Sequence, residues 1–261
     1  MVRCVRNVSP ELTIPDSLEI GKFSLCSIMC SMNKVLSVYK PIGTTPLELI
    51  EELRLSFPEY QDVTIGYAGR LDPMADGVML LMLGEATKER DTYLHLEKVY
   101  EFEVLFGCDT DTYDVLGLLQ KNATQTALIV NEKVNIFVKK HTGTIVQAYP
   151  PYSSKTVGGK PLFWWARNGK LSEIDIPKKE VTVFDFAVTG FDQIQKTDLK
   201  KRIIEMIERI KGDFRQEEIH KAWETFFLEH HAKTFQTAKF RISCSSGTYV
   251  RGCLLYTSRC V

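Results

Sequence analysis

Hydrophobic positions change period several times along the chain, and each change marks an element. Val35, Leu36 and Val38 predict a short strand, which Lys40-Pro41-Ile42-Gly43 ends in a turn. A helix should follow, with Thr45 as its cap, Pro46 in its first position, and Leu49, Ile50 and Leu53 on one apolar face before Pro58. Thr64 to Tyr67 predicts another strand. After a glycine-rich loop, the unbroken apolar run Val78 to Leu83 predicts a buried strand ending at Gly84. Lys98 to Phe106 alternates, with Val99, Phe102, Val104 and Phe106 set among Tyr100, Glu101 and Glu103, and predicts a long strand. Its tip is polar, carrying Asp109, Thr110, Asp111, Thr112 and Asp114.

In the second half, a helix is expected over Thr126 to Lys140, then a loop or arm over Gln147 to Lys160. Val181 to Phe191 alternates as a strand. Leu199, Ile203, Met206, Ile207 and Ile210 then keep helical spacing up to Gly212. Asp213 with Gln216 three residues on suggests a capping box for a second helix, striped by Ile219, Ala222, Trp223, Phe226 and Phe227. A last strand runs from Ala238 to Cys244. The succession predicts an α+β fold, a mixed and mainly antiparallel sheet with flanking helices. Residues 1–31 show no period and read as a loose leader, disordered or non-native, with Met32 a candidate start. Residues 32–251 read as one domain.

Composition narrows the class. Apolar residues make up 44% and charged residues 25% of the 261, as in soluble globular domains. With 33 basic and 33 acidic residues the net charge is zero, so a nucleic-acid site would have to be a local basic patch. The seven cysteines are odd in number and scattered, without zinc-site spacing, which suggests reduced thiols. No apolar stretch is long enough to span a membrane and no signal-peptide layout is present, so the cytoplasm is the expected compartment.

The candidate chemistry lies in Ile65-Gly66-Tyr67-Ala68-Gly69-Arg70-Leu71-Asp72-Pro73-Met74-Ala75-Asp76-Gly77-Val78. Three glycines and a proline hold this loop between two apolar strands. Pro73 biases Asp72 toward extended geometry, which presents its carboxylate as a nucleophile needs. The plainer alternative is a tight turn in which Asp72 only accepts backbone hydrogen bonds.

The longer string favours chemistry. GYAGRLDPMADGV followed by GEATK closely resembles the catalytic motif of TruB-type pseudouridine synthases. Further resemblances occur in the family's order: Lys40-Pro41-Ile42-Gly43, Lys98-Val99-Tyr100, Gln147-Ala148-Tyr149-Pro150-Pro151-Tyr152-Ser153-Ser154-Lys155 and Gly247-Thr248-Tyr249-Val250-Arg251. The resemblance implies isomerisation of an RNA uridine, with the T-loop uridine of tRNA as the expected target, and neither cofactor nor metal. It implies Asp72 as nucleophile, adding to base or ribose or assisting a glycal intermediate. Arg251 would pair with Asp72 and keep it ionised, and Tyr100 would stack on the base or handle a proton. Lys40 and Lys88 would contact phosphate or stabilise loops. Tyr67, Arg70, Tyr149, Tyr152, Lys155 and Lys160 would contact RNA, the last four from the arm. The target base has to be flipped out of its stack.

This sequence also departs from the family. Tyr67 replaces a histidine found in many members, leaving a ring that can still stack. Residues 252–261 read as a truncated or foreign tail, without the family's further helix and strand or a PUA domain. The Leu199 to Phe227 hairpin reads as an atypical insertion. A monomer is expected. The competing readings are a non-catalytic RNA-binding protein or tRNA chaperone on the same fold and, less well matched, an RNA-guided particle subunit.

Overall fold

The central strand of the apolar run is buried on both faces, which explains why it does not alternate. Met79, Leu81 and Leu83 pack with Leu36 and Val38 and with the helical residues Leu49, Ile50 and Leu53, while Leu80 and Met82 pack with Ala68 on the opposite side. In the computed structural model, described over residues 2–8, 18–20, 23–25, 34–120 and 131–254, this strand belongs to a sheet of eight. The elements before the arm are β1 (Val2–Val8), β2 (Leu18–Ile20), β3 (Phe23–Leu25), β4 (Val35–Lys40), α1 (Pro46–Ser56), β5 (Ile65–Ala68), β6 (Asp76–Leu83), α2 (Arg90–Leu94), β7 (Glu97–Leu105), α3 (Asn131–Lys140) and β8 (Gly143–Ala148). The arm and the remaining C-terminal part supply β9 (Thr156–Val157), β10 (Lys160–Pro161), α4 (Leu162–Arg167), β11 (Lys178–Gln195), α5 (Lys196–Glu208), α6 (Gln216–Glu229), β12 (Thr234–Cys244) and α7 (Val250–Leu254). The sheet order is β4-β6-β1-β7-β12-β11-β8, with β5 also on β6. Every pairing is antiparallel except β1 with β6, so the mixed, mainly antiparallel sheet read from the sequence is present.

Local chemistry explains the first helix. Thr45 Oγ1 accepts from the Glu48 amide at 3.2 Å and the Thr45 amide donates to Glu48 Oε2 at 2.7 Å, a complete capping box. Across the sheet, Phe102, Phe186 and Phe240 form a ring cluster beneath Val134 and Val138 of α3. The α5–α6 hairpin packs around Trp223, whose indole N–H donates to the Val115 carbonyl at 2.9 Å. Arg202 of α5 pairs with Glu103 of β7.

Several boundaries differ from those read off the sequence. The strand expected over 181–191 runs the 18 residues of β11, and register shifts at Val183/Asp185 and Val188/Gly190 break the alternation that would have shown its ends. The second hairpin helix starts at Gln216 rather than behind an Asp213 cap. Arg215 takes the left-handed conformation (φ 63), and the Gln216 side chain turns back to accept from the Phe214 amide and donate to the Ile210 and Gly212 carbonyls. The segment read as a loop or arm over Gln147 to Lys160 carries the short β9–β10 pair near its end, and α4 follows directly. A helix, α7, begins at Val250 where none was expected, so Arg251 sits in a first turn. The start of the helix expected from Thr126 lies outside the described residues, as do 255–261. In the stretch read as a leader, Val2–Val8 is paired on both sides, with β6 and β7. The rest of that stretch, apart from the β2–β3 pair, is outside the described residues. Among the described residues no helix is long and apolar enough to cross a membrane.

The turn after β4 meets the hairpin at Gly43, which has φ +90 and donates its amide to the Pro73 carbonyl at 3.0 Å. A Cβ at this glycine would collide with the Arg209 backbone carbonyl. Gly43→Ala is expected to lower the unfolding free energy by about 2 kcal/mol or more, from backbone strain and the collision together. Urea denaturation reads this directly, and an unchanged midpoint would show that the turn is not pinned there.

Candidate active site

The loop between β5 and β6 is held on one side and open on the other. Met74 is buried in the hairpin core, the Pro73 carbonyl is bound by Gly43, and the Ala75 carbonyl accepts from Lys40 Nζ at 2.7 Å. The Ala75 amide closes a turn on the Asp72 carbonyl at 2.9 Å. These anchors come directly after Asp72 and leave its side chain at the crest, 44% exposed.

Arg251 meets that carboxylate from a segment 179 residues away. Its side chain is 6% exposed and its donors diverge. Nε donates to Asp72 Oδ2 at 2.7 Å, one terminal nitrogen to the Thr112 carbonyl at 2.8 Å and the other to the Tyr152 carbonyl at 3.3 Å. The helix bearing Arg251 is docked by buried Gln147, whose amide donates to the Tyr249 carbonyl and accepts from the Tyr249 amide, both at 2.8 Å. Asp72 Oδ1 accepts no hydrogen bond among the described residues, so one oxygen is fixed and the other is available.

A second carboxylate shares the guanidinium. Asp114 Oδ2 lies 3.8 Å from Arg251 Nε, while Oδ1 accepts from Thr112 Oγ1 at 2.8 Å and from the Leu116 amide at 2.9 Å. Burial pushes the Asp114 carboxyl above its ordinary range, and Arg251 only partly offsets this. Burial pulls the Arg251 guanidinium down, but Asp72 and Asp114 more than offset it and leave it above its usual value. The Tyr249 phenol is raised first by burial and then by the nearby Asp72 charge. Asp114 and Tyr249 carry no role in the sequence reading. The signal for Asp114 was the run of Asp and Thr at the β7 tip, which on its own resembles any polar turn.

The other expected site residues come from several segments of the chain. Tyr100 is half-buried on β7 beside the Phe102 cluster. Tyr67 packs on the α1 core, and its carbonyl accepts from Arg90 at 3.2 Å. Arg70 is exposed, and Lys88 is exposed in an ion pair with Glu85. Tyr149 stands edge-on to Tyr249 at 5.5 Å with Lys155 Nζ 5.3 Å from its ring centre. Lys160 Nζ lies 3.4 Å over Trp164. Of the two roles expected of Lys40, loop stabilisation is the one its surroundings fit: it is fully buried, its ammonium bound to the Pro41 and Ala75 carbonyls, and so cannot reach a phosphate. Tyr152 is half-buried: its hydroxyl donates to Asp111 Oδ2 at 2.7 Å and Arg215 lies over one face of its ring at 4.7 Å. Among the described residues no cluster of three or more His, Cys, Asp or Glu is arranged to hold a metal.

Comparison with known proteins gives a match to the family model described as TruB family pseudouridylate synthase (N terminal domain) over residues 59–203, more than half the chain. Three curated relatives share the name tRNA pseudouridine synthase B. The protein from Caldanaerobacter subterraneus subsp. tengcongensis is 35% identical over 162 residues, 62% of this chain and 55% of the relative. That from Bacillus licheniformis is 31% identical over 70% of this chain and 57% of its own, and that from Ligilactobacillus salivarius 30% identical over 84% and 60%. The chain thus spans little more than half the length of the curated relatives it matches. A chain of the crystal structure of a Cbf5-Nop10-Gar1 complex superposes on 86% of this chain and 43% of its own, with a TM-score of 0.46 and 16% identity.

Lys40 gives the site a pH signature. Burial pushes its ammonium from 10.5 down to about 8, with Asp76 and then Asp72 offsetting part of the fall. Below pH 8 the lysine is charged in both folded and unfolded chains and the cost of burying the charge is present in full. Between about 8 and 10.5 the folded chain releases its proton first, so this group makes stability rise with pH, by at most about 3 kcal/mol. The Lys40→Met variant is expected to lack that rise. Unfolding free energies of both proteins at pH 7 and pH 10 measure it, and parallel pH dependences would refute the assignment.

Proposed function

Because the chain belongs to the TruB pseudouridylate synthase family, we propose that it isomerises a uridine in RNA to pseudouridine, with Asp72 as the nucleophile. The observation that carries the proposal is the single 2.7 Å bond from Arg251 Nε to Asp72 Oδ2, made by a guanidinium whose remaining bonds go to backbone carbonyls. Such an arginine cannot swing away when substrate arrives. It fixes the direction of the carboxylate and leaves the second oxygen to meet an incoming ribose or base.

In the proposed reaction the bond from N1 of uracil to C1′ of ribose breaks with Asp72 assisting. The freed base turns, C5 bonds to C1′, a proton leaves C5 and one is gained at N1. Atoms balance without an oxidant or co-reactant. The uridine has to leave its stack first, at a cost of a few kcal/mol offset by stacking and phosphate contacts. Tyr100 is the proposed stacking ring, with Tyr249 bordering the carboxylate. Exposed Arg70, Lys155 and Lys160 are proposed for the RNA backbone and supply the local basic surface that a neutral chain needs. tRNA is the proposed substrate, in keeping with the names of the relatives, and its T-loop uridine is the proposed target. A cytoplasmic monomer working without a cofactor belongs to the same proposal.

Incubating the protein with a T-arm stem-loop and mapping pseudouridine tests the reading. Wild type should convert the target uridine. Asp72→Asn should lose more than about ten-thousandfold in rate, since loss of a nucleophile costs on the order of a millionfold in a well-studied hydrolase. Arg251→Lys keeps a charge but not the three-way geometry, and should lose about a hundredfold with KM little changed. No product with equimolar wild type, or normal turnover by Asp72→Asn, would overturn the proposal.

A further inference from the structure

Strands β11 and β12 are antiparallel neighbours that a short turn could join, yet residues 196–233 intervene. The family match ends at residue 203, inside α5, so the tip of this hairpin lies outside it. At that tip stands Arg215, a non-glycine residue in the left-handed region (φ 63, ψ 30), a conformation that persists when surrounding contacts over-determine it. Its contacts are specific. The two terminal nitrogens donate to the two oxygens of Asp111 at 2.9 and 3.3 Å, and the guanidinium lies over the Tyr152 ring. Asp111 also accepts from the Tyr152 hydroxyl and from the Leu118 amide, so one carboxylate gathers four donors from three segments. The Asp111 and Arg215 side chains are both 18% exposed.

The position of this cluster matters. Residue 112, next to Asp111, and residue 152 itself provide the two carbonyls that hold the Arg251 guanidinium. The same hairpin buries Met74, two residues past Asp72, and closes on Gly43 through Arg209. We propose that Arg215 is a positioning residue for the Asp72–Arg251 pair. By clamping Asp111 and Tyr152 it fixes the two carbonyls, these fix the guanidinium, and the guanidinium aims the nucleophile. Arg215 touches neither the reacting carboxylate nor Arg251. Its kinetic consequence rests on the isomerase reading above, while its effect on Arg251 does not.

Two variants separate positioning from plain stability. Arg215→Gly removes the guanidinium and also relieves the left-handed strain, so the loss of the ion pair is partly offset. Arg215→Lys keeps a charge but cannot bridge both oxygens and cover the ring. Both should lower kcat on T-arm RNA by about 10- to 100-fold, with KM within about twofold and little change in Tm, because small misplacements of a reacting group cost rates of this order. A second readout needs no turnover: hydrogen exchange of the Arg251 Nε–H, assigned by its disappearance in Arg251→Lys. It should be slow in wild type and at least about tenfold faster in Arg215→Gly, since local opening sets protection. Wild-type exchange in Arg215→Gly would overturn the proposal, as would a normal kcat alongside a lowered Tm. An inactive wild type would refute the isomerase reading and leave the exchange result to decide the role of Arg215.

Discussion

A guanidinium out of reach of water must find protein acceptors for its N–H groups or pay several kcal/mol, and Arg251 meets this demand with one carboxylate and two carbonyls from three separate segments. The site depends on that constraint. Thr112 belongs to the tip after β7, Tyr152 to the arm and Asp72 to the loop between β5 and β6. Each is a surface connection with little reason of its own to adopt one conformation. Arg251 gives them a common reference, and Asp114 adds a second carboxyl group at longer range. Three loops and the start of α7, separated by up to 179 residues in sequence, become one object.

Rigidity is supplied on either side of this object by different means. The sheet side is apolar: β6 is buried on both faces and delivers Asp76 and Ala75 from a strand that cannot shift without exposing leucine and methionine. The turn side is polar. Lys40 is buried with its ammonium on the Ala75 and Pro41 carbonyls, a costly placement that makes sense as a staple between β4 and the loop. The hairpin α5–α6 covers the remaining side with Met74 in its core. Asp72 is what remains outside these anchors, so the exposure needed for chemistry and the immobility needed for aim come from the same packing.

Much of this was legible in the chain. Thr45 and Pro46 announce α1 because capping is local chemistry, and the unbroken run Val78 to Leu83 announces a buried strand. Asp72, Tyr100 and Arg251 could be nominated because their motifs are long. The rest depended on tertiary geometry. Lys40 reads equally as a phosphate ligand or a loop staple until its burial is known, and the bonds that tie Tyr152 to Asp111 and Arg215 cannot be read from its motif. Asp114 was visible only as one acid among several at a polar tip. The cap expected at Asp213 failed because that carboxylate engages Arg167 and the Arg215 amide, while Gln216 turns back on its own loop. For Lys40, Tyr152 and Asp114 the deciding partner is distant in sequence and leaves no period in it, whereas at Asp213 and Gln216 a competing local turn displaced the expected cap.

Asp72 and Arg251 act as one unit, and a double-mutant cycle on unfolding free energy tests that without reference to turnover. Urea denaturation of wild type, Asp72→Asn, Arg251→Gln and the double variant should give a coupling of about 1 to 3 kcal/mol, the size expected for charged groups in direct contact at a partly buried site. Single effects that add to within about 0.3 kcal/mol would contradict it, because the carboxylate and the guanidinium would then be neighbours rather than partners.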